Sequence, residues 1–189
     1  MKLNFSVKLT NDGSIGLYNK EVDDIYHSTY GAYNEAVEKF IKPSGLESFL
    51  QTHNKIKILD ICSGMGYNLK AAVDAVFRVN PECDIEIDCL EIDSYVFSFG
   101  LLYKVEKIDY DVHYFLLEKF FDNPLITKCM IELLEDDEIC HFLDEKLALF
   151  FVGNKFSEIE LMGRHQNNQK IHNIYYKYMS NRNKYPPKS

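Results

Sequence analysis

A glycine-rich turn near the middle of the chain carries the residues best suited to hold a ligand. It reads Asp60-Ile-Cys-Ser-Gly-Met-Gly-Tyr67 and directly follows a short β-branched run. Gly64 and Gly66 lack a Cβ atom, so the backbone there can approach a ligand closely. The spacing is neither the GxGxxG of dinucleotide-binding enzymes nor the GxxxxGK(S/T) of phosphate loops, and Lys70 stands in the wrong place for a phosphate lysine. We therefore expect a nucleotide-type ligand without a pyrophosphate; the alternative is a tight turn with no ligand.

Two carboxylates, Glu91 and Asp93, form the second candidate site. Glu91 ends a segment, residues 84–91, whose alternating pattern predicts a β-strand, and Asp93 follows it by two residues. In nucleotide-binding β-α-β units an acid at this position accepts the hydroxyl groups of a ribose. We expect Glu91 in that role, with Asp93 on the same side to replace or assist it. The alternative is that both are exposed acids at a strand end.

The elements that position these residues form a β-α-β unit. A strand is predicted over 56–61, a helix over 67–79 that Asn80-Pro81 stops, and a second strand over 84–91. A parallel pair with a right-handed crossover is the default for this order, which makes the fold α/β and Rossmann-like. S-adenosylmethionine is the commonest ligand of such a fold that carries no phosphate, with its methionyl part beside the glycine turn.

The N-terminal residues predict a hairpin followed by a helix. An alternating apolar run, a turn at 11–14 and a second apolar run indicate two antiparallel strands within residues 1–19. A helix is predicted over 31–42, ended by Pro43-Ser-Gly45. Its apolar stripe comprises Ala32, Ala36, Val37, Phe40 and Ile41.

A polar and aromatic cluster, Tyr26-His-Ser-Thr-Tyr-Gly-Ala32, precedes that helix. Ser28 or Thr29 is expected to cap the helix, and Gly31 permits the close approach of another group. His27 alone is more simply a hydrogen-bonded structural histidine than a catalyst. The cluster is therefore of interest as a group rather than through any single residue.

The second half of the chain departs from the β-α-β pattern. Residues 95–147 are rich in helix formers, which predicts a helical insertion at about 101–147. Two further strands are predicted over 147–152 and 158–162. We expect one domain over 1–189, divided into an N-terminal hairpin with helices (1–55), the cofactor-binding β-α-β unit (56–100), a mainly helical region (101–174) and a linker-like tail (175–189).

Composition limits the classes of protein that the chain can be. Its 189 residues suit one ordinary domain, and 46% hydrophobic with 14% aromatic residues suffice for a packed core. A net charge of −8 argues against a surface that covers nucleic acid through phosphate neutralisation alone, although a local basic patch is compatible with it. The sequence shows neither a membrane-spanning run nor a signal peptide, so we expect a cytoplasmic protein with no membrane partner.

The five cysteines include no CxxC pair. Reduced thiols are therefore expected, with no disulfide, and no metal is predicted. Cys62 lies inside the glycine turn as a candidate pocket-lining side chain. Nothing near it in sequence supplies the base that a nucleophile needs.

Four ordered blocks of sequence resemble one known family. They are Asp12-Gly-Ser-Ile-Gly-Leu-Tyr18, Tyr26-His-Ser-Thr-Tyr-Gly-Ala32 with Glu35, Leu59-Asp-Ile-Cys-Ser-Gly-Met-Gly-Tyr-Asn68, and Leu90-Glu-Ile-Asp93. Over about residues 8–100 they resemble the methyltransferase domain of the bacterial MnmC-type tRNA-modifying enzymes, which complete 5-methylaminomethyl-2-thiouridine at the wobble position. The resemblance implies a class I methyltransferase-type parallel sheet, S-adenosylmethionine as the cofactor, and an aminomethyl nitrogen on a tRNA uridine as the methyl acceptor.

The resemblance also implies which residues hold the cofactor. Ser28 and Gly31 match the first cluster, and Glu91 matches the acid of the second strand. The matches in the turn are Asp60, Gly64, Gly66, Tyr67 and Asn68. No catalytic residue is assigned, because methyl transfer to an amine depends on the in-line placement of nitrogen, methyl group and sulfur more than on a strong base.

Residues 101–189 depart from the family, since they match neither its later Asp-Ala-Phe-type acidic motif nor its closing hairpin. We therefore expect the parallel sheet to be incomplete in this chain. Either the sheet continues beyond Ser189, which the proline-ended terminus favours, or the chain is a degenerate relative. The leading hypothesis is an S-adenosylmethionine-dependent methyltransferase acting on tRNA, represented here by its cofactor-binding half. The alternative is a non-catalytic methyltransferase-like binding or scaffold module; a nicotinamide-dependent oxidoreductase fits the glycine spacing less well.

Basic groups suited to contact tRNA gather near the C-terminus, where they alternate with tyrosines. The alternative for this stretch is a solvated tail. The residues are Arg164, Lys170, Lys177, Arg182, Lys184 and Lys188, with Tyr175, Tyr176, Tyr178 and Tyr185.

Overall fold

The N-terminal alternation folds into a small antiparallel sheet. In the computed structural model of the chain, β1 (Phe5–Leu9) and β2 (Ile15–Asn19) pair antiparallel, and a short β3 (Asp24–Ile25) pairs with the end of β2. The predicted hairpin is confirmed, and the sheet has one strand more than predicted. The structure describes residues 4–26, 31–134, 136, 139 and 142–143.

A helix containing one π-helical stretch follows the hairpin. It consists of α1 (Ala32–Ala36), the π-helical residues Val37–Ile41 and α2 (Lys42–Ser44). Gly45, with φ of 71°, ends it, and α3 (Leu46–Leu50) begins directly afterwards. The helix therefore runs two residues further than predicted and includes Pro43.

The predicted apolar stripe of this helix is wrong at Phe40. Ala32, Ala36 and Ile41 are buried, whereas Phe40 is 52% exposed. A π-helical turn holds one residue more than an α-helical turn. The buried position after Ala36 therefore falls on Ile41 rather than on Phe40.

The β-α-β unit has the predicted form. β4 (Lys55–Ile61) and β5 (Asp84–Leu90) pair in parallel, with Asp60 beside Cys89, and α4 (Tyr67–Val79) connects them. The bounds agree with the predicted elements to within one residue. Since both strands run the same way, their carboxyl ends, the glycine turn and Glu91 lie at one edge of the pair.

Three helices follow β5, namely α5 (Ser94–Leu102), α6 (Tyr110–Phe121) and α7 (Pro124–Leu134). α5 packs against α7, and α6 packs against α4. Their shared core contains the fully buried residues Val76, Phe99, Leu102, Leu117 and Leu133. Within the region predicted as helical, 101–147, the described residues thus include α6 and α7. The strands predicted over 147–152 and 158–162 and the tail at 175–189 lie outside the described residues.

The parallel pair is covered on one face and open on the other. Ile85 and Asp60 are buried, whereas Leu59, Ile61 and Leu90 on the opposite face are 59–61% exposed. Parallel sheets are ordinarily covered on both faces, so the mixed α/β architecture of the described residues is that of a partial Rossmann-like fold. None of the helices in this part of the chain is both long and apolar enough to span a bilayer.

Candidate cofactor-binding site

The glycine turn leaves β4 through three residues with left-handed backbone. Cys62, Gly64 and Gly66 have φ angles of 58°, 53° and 70°. Glycine adopts this conformation readily, whereas Cys62 carries a conformational cost there. The N–H of Gly66 donates to the carbonyl of Ser63 at 2.7 Å and closes the turn. Gly66 is also the N-cap of α4, so the helix starts directly at the turn.

Glu91 ties the turn to the end of β5. Its Oε2 accepts the backbone N–H of Gly64 at 2.6 Å, and its Oε1 accepts the N–H of Asp93 at 2.9 Å. The N–H of Ser63 donates to the carbonyl of Leu90 at 3.2 Å. A carboxylate offers about four lone-pair positions, so Glu91 is oriented by two backbone groups and still has room for hydroxyl donors. The predicted residues Gly64 and Glu91 are thus parts of one hydrogen-bonded structure.

Asp93 is the N-cap of α5. Its Oδ1 accepts the backbone N–H groups of Tyr95 at 3.0 Å and Val96 at 3.2 Å. This is a common function of aspartate at the start of a helix. Sequence reasoning missed the cap, although an aspartate directly before an apolar segment is a recognised signal for one. The predicted help that Asp93 gives to Glu91 stays a prediction.

Asp60 is a buried carboxylate with an unused acceptor atom. The residue is 8% exposed, and its Oδ2 has no hydrogen-bond partner among the residues that the structure describes. Burial raises the pKa of Asp60; a hydrogen bond from Ser63 opposes this, and the nearby charge of Glu91 adds to it. A buried polar atom normally has a partner, and a ligand that donates a hydrogen bond would supply one to Asp60.

The surroundings of the turn are negatively charged. Asp60, Glu91 and Asp93 bring three carboxylates to the adjoining ends of β4 and β5. The lysine that follows the turn, Lys70, is 3% exposed, and its ammonium group donates to the carbonyl of Gly100 at 2.6 Å inside the protein. Such an arrangement favours a positively charged ligand and disfavours a phosphate.

A cleft of about 450 Å³ opens beside Asp93. Its lining includes Ile92, Tyr95 and Lys128. Clefts of this size accommodate a small organic ligand. Ile92 directly follows Glu91 and is fully exposed, so an apolar surface adjoins the acid that was predicted to bind a ribose.

Tyr26 lies beside this cleft and close enough to the acids to feel their charges. It lines the cleft with Asn19. Burial raises the pKa of Tyr26; a hydrogen bond from Asn19 opposes the shift, and the charges of Asp93 and Glu91 add to it. The first residue of the upstream cluster therefore lies near the second-strand acids.

Tyr67 points away from the surface of the turn. It is fully buried, and its hydroxyl donates to the carbonyl of Ile15 at 2.5 Å and accepts the N–H of the same residue at 3.1 Å. Burial, the largest cause, raises the pKa of Tyr67. Its side chain thus anchors the hairpin to α4. Asn68, the next residue, is half-buried at the start of the helix; the cofactor contacts implied for both residues stay predictions.

The first two motif blocks meet at Asp12 and Gly31. A Cβ atom at Gly31, where φ is 137°, would lie 2.3 Å from Cγ of Asp12. Asp12 Oδ2 accepts the N–H of Asn34 at 3.2 Å, and the hydroxyl of Ser14 accepts the N–H of Ala32 at 3.1 Å. Gly31 is therefore required by the close approach of the Asp12 carboxylate, and the cofactor contact implied for it is still a prediction.

Burial alone would raise the pKa of Asp12, but hydrogen bonds from Ser14, Thr10 and the backbone of Asn34 outweigh it, so the pKa is lowered. Ser28, the other residue implied in this cluster, lies outside the described residues.

Gly100 is a residue of the site that sequence reasoning missed. A Cβ atom there would lie 2.3 Å from the carbonyl oxygen of Met65. α5 can therefore pack directly on the backbone of the glycine turn only because position 100 is glycine. The sequence signal for such a contact is a glycine inside an otherwise apolar helix.

Metal ligation has no candidate in the same region. In residues 4–26, 31–134 and the few described beyond them, no group of three or more His, Cys, Asp or Glu side chains is arranged to hold an ion.

Part of the chain is similar to known proteins. It is 35% identical over 99 residues to the uncharacterised protein MJ0670 of Methanocaldococcus jannaschii, a match covering 52% of this chain and 26% of that protein. It is also similar to the crystal structure of MnmC2 from Aquifex aeolicus, with 30% identity and a TM-score of 0.49, covering 62% of this chain and 38% of that one. The chain thus spans about a quarter of MJ0670. No family model matches it.

Proposed function

We propose that this chain binds S-adenosylmethionine over the glycine turn and serves in the methylation of an aminomethyl nitrogen on the wobble uridine of tRNA. The observation that carries the cofactor part is the pairing of Glu91 with Gly64, next to the buried Asp60 carboxylate with its unused Oδ2. The motif resemblance supplies the reaction and the acceptor.

The chemistry of the residues fits this cofactor. S-adenosylmethionine carries a sulfonium and an amino group and has no phosphate, so it complements the carboxylates of Asp60, Glu91 and Asp93. A dinucleotide would bring two phosphates to the same acids, with no described lysine at the turn to receive them. Lys70 cannot serve, because its ammonium group is buried and bonded to Gly100.

Each part of the cofactor has a candidate partner. Glu91 would accept ribose hydroxyls, and Asp60 would accept a hydrogen bond from the methionyl part. Gly64 and Gly66 would keep side chains clear of it, and exposed Ile92 would meet the adenine ring at the cleft. Ser28 and Gly31 join this set by resemblance. Bound there, S-adenosylmethionine would supply an electrophilic methyl group.

The task of this chain in such a reaction is placement. Its two backbone donors hold the Glu91 carboxylate in one orientation, and Gly100 lets α5 support the turn from behind. A group held in this way aligns a ligand without moving when the ligand arrives, which is the main requirement of methyl transfer to an amine.

The test of the whole function is tRNA analysis. Nucleosides from tRNA of cells lacking the gene should contain wobble uridines that retain the unmethylated aminomethyl group, and reintroduction of the gene should restore the methylated form. Restoration should fail with Glu91→Ala. Unchanged wobble uridines in the deletion strain would remove the tRNA part of the proposal and leave the cofactor part standing.

A second candidate function is a methyltransferase-like binding module without catalysis. The observation that favours it is the run of α5, α6 and α7 after β5, with no strand between them, where a doubly wound sheet would continue with further β-α units. This candidate predicts cofactor binding together with unchanged wobble uridines in the deletion strain.

A further inference from the structure

We propose that Lys70 is a positioning residue that locks the glycine turn against α5, and that the fold forms this lock with a buried ammonium group that pairs with no carboxylate among the described residues. The proposal rests on the proposed cofactor role of the turn. It assigns a function to a side chain that belongs to none of the sequence motifs for ligand binding.

The ammonium group of Lys70 caps the end of α5. It donates to the carbonyl of Gly100 at 2.6 Å and to that of Tyr103 at 3.1 Å. α5 ends at Leu102, so these carbonyls belong to the helix terminus, where no intrahelical donor follows and a positive charge is favourable. The group also lies over two rings, 5.3 Å from the centre of Tyr67 and 5.6 Å from that of Tyr103.

The same end of α5 touches the turn. Gly100, whose carbonyl Lys70 holds, packs against the backbone of Met65 between the two turn glycines. Lys70 itself lies in the first turn of α4, and its N–H donates to the carbonyl of Gly66 at 2.8 Å. One side chain therefore joins the segment that starts at the turn to the segment that supports it from behind.

A buried lysine at position 70 reduces stability more than a purely structural residue would. It is 3% exposed, and no carboxylate forms a salt bridge with it within the described ranges. Burial lowers the pKa of Lys70 to about 7. A methionine would fill similar space without removing a charge from water. Residues that reduce stability in this way are found where function needs them.

The titration of Lys70 can be distinguished from that of the titratable groups around it. Burial raises the pKa of Tyr103 to about 12 and raises that of Tyr67 as well, while the pKa of Asp12, which acts on both rings, is lowered. None of these three changes charge between pH 6 and 9. His113 is a buried residue of α6, the helix that packs on α4, and it is unchanged in the variant.

The experiment compares Lys70→Met with Lys119→Met, a matched control in which an exposed lysine over a ring loses the same group. Affinity for S-adenosylmethionine, measured by calorimetry at pH 6.5, should fall roughly tenfold in Lys70→Met because the turn loses its support, and should stay within twofold in Lys119→Met. Equal affinity of wild type and Lys70→Met would overturn the proposal.

Thermal unfolding of the same proteins tests whether the buried ammonium group of Lys70 destabilises the fold. A lysine whose pKa is lower in the folded state than in the unfolded state destabilises the fold. For Lys70 the full loss of stability applies below about pH 7, and it diminishes as the pH rises toward 10.5, the ordinary pKa of lysine. Wild type should therefore gain stability relative to Lys70→Met between pH 6 and 9. A stability difference that is constant over this range would contradict a buried cation at position 70.

A measurement on the wild-type protein alone covers the case in which the variant does not fold or the protein does not bind the cofactor. In an NMR titration, the backbone amides of Gly64, Met65 and Gly66 should shift with the same midpoint as the Lys70 side chain. Absence of that shared midpoint would overturn the lock. Its presence without cofactor binding would leave the lock standing and remove the proposed function of the turn.

Discussion

The carboxylate of Glu91 accepts the backbone N–H of Gly64 at 2.6 Å, and this bond joins the end of β5 to the turn after β4. Two residues that are 27 positions apart in sequence are thereby joined in one candidate site. A second bond, from the N–H of Asp93 to the other oxygen, fixes the plane of the carboxylate. Two backbone N–H groups therefore orient the carboxylate of the candidate site independently of any ligand.

Glu91→Gln should weaken binding of S-adenosylmethionine by roughly 10- to 100-fold, because hydrogen bonds to a charged acceptor contribute about 1.5–3 kcal/mol. Isothermal titration calorimetry measures the change. The control is Glu86→Gln, which removes a carboxylate from β5, the strand that precedes Glu91, where Glu86 forms an exposed ion pair with Lys55. Equal losses in the two variants would show that general charge, not the position of Glu91, governs affinity.

Gly66→Ala should lower both stability and cofactor affinity. Gly66 has φ of 70°, and the nearest atom to an added Cβ, on Phe97, is 3.8 Å away, so the strain is conformational rather than a clash. Gly45→Ala is the matched control, with φ of 71° and no atom within 4 Å. Each should lose about 1–2 kcal/mol of unfolding free energy, whereas only Gly66→Ala should lose affinity. Loss of affinity in both would mean that stability alone accounts for the effect.

Asp60→Asn should stabilise the protein while weakening its binding of a cationic ligand. Burial raises the pKa of Asp60 above its ordinary value of 3.8, so the native state holds the proton more tightly than the unfolded state does. Stability of the wild type therefore falls as pH rises through the interval between these two pKa values, and the loss persists above it. In denaturant unfolding, the free energy of unfolding of the variant relative to wild type should be larger at pH 7 than at pH 4. A gap that is the same at both values would contradict the buried, charged state of Asp60.

Tyr67→Phe should loosen the N-terminal hairpin. The change leaves the N–H and carbonyl of Ile15 without the hydroxyl that now bonds both, at a cost of about 1–3 kcal/mol. Hydrogen exchange should accelerate in β2. Tyr18→Phe, which removes an exposed hydrogen bond to Asp23 in the same hairpin, should change stability by under about 0.5 kcal/mol. Unaltered exchange in Tyr67→Phe would show that the hairpin does not depend on this hydroxyl.

The β-α-β unit was predictable because its signals are local. The β-branched run, the turn glycines and Asn80-Pro81 each mark a boundary through the conformations that these residues allow. The position of Glu91 followed from the same boundaries, because the carboxyl ends of parallel strands meet at one edge. The cap formed by Asp93 has an equally local signal, because an aspartate directly before an apolar segment indicates the start of a helix.

Other features depend on packing between distant segments. The burial of Lys70 results from the arrival of α5 some thirty residues later, with Gly100 and Tyr103 as its acceptors. The exposure of Phe40 results from a π-helical turn that periodicity does not reveal. Gly31 and Asp12 belong to different motif blocks, and they are in contact in the fold. The number of residues between the two blocks does not indicate that contact.

Titration of the wild-type chain with S-adenosylmethionine, alongside NAD⁺, tests the central claim most directly. The account predicts saturable 1:1 binding of S-adenosylmethionine that is weakened by Glu91→Gln, and no binding of NAD⁺, since its phosphates would meet Asp60, Glu91 and Asp93. Binding of NAD⁺, or no heat change with S-adenosylmethionine, would contradict it.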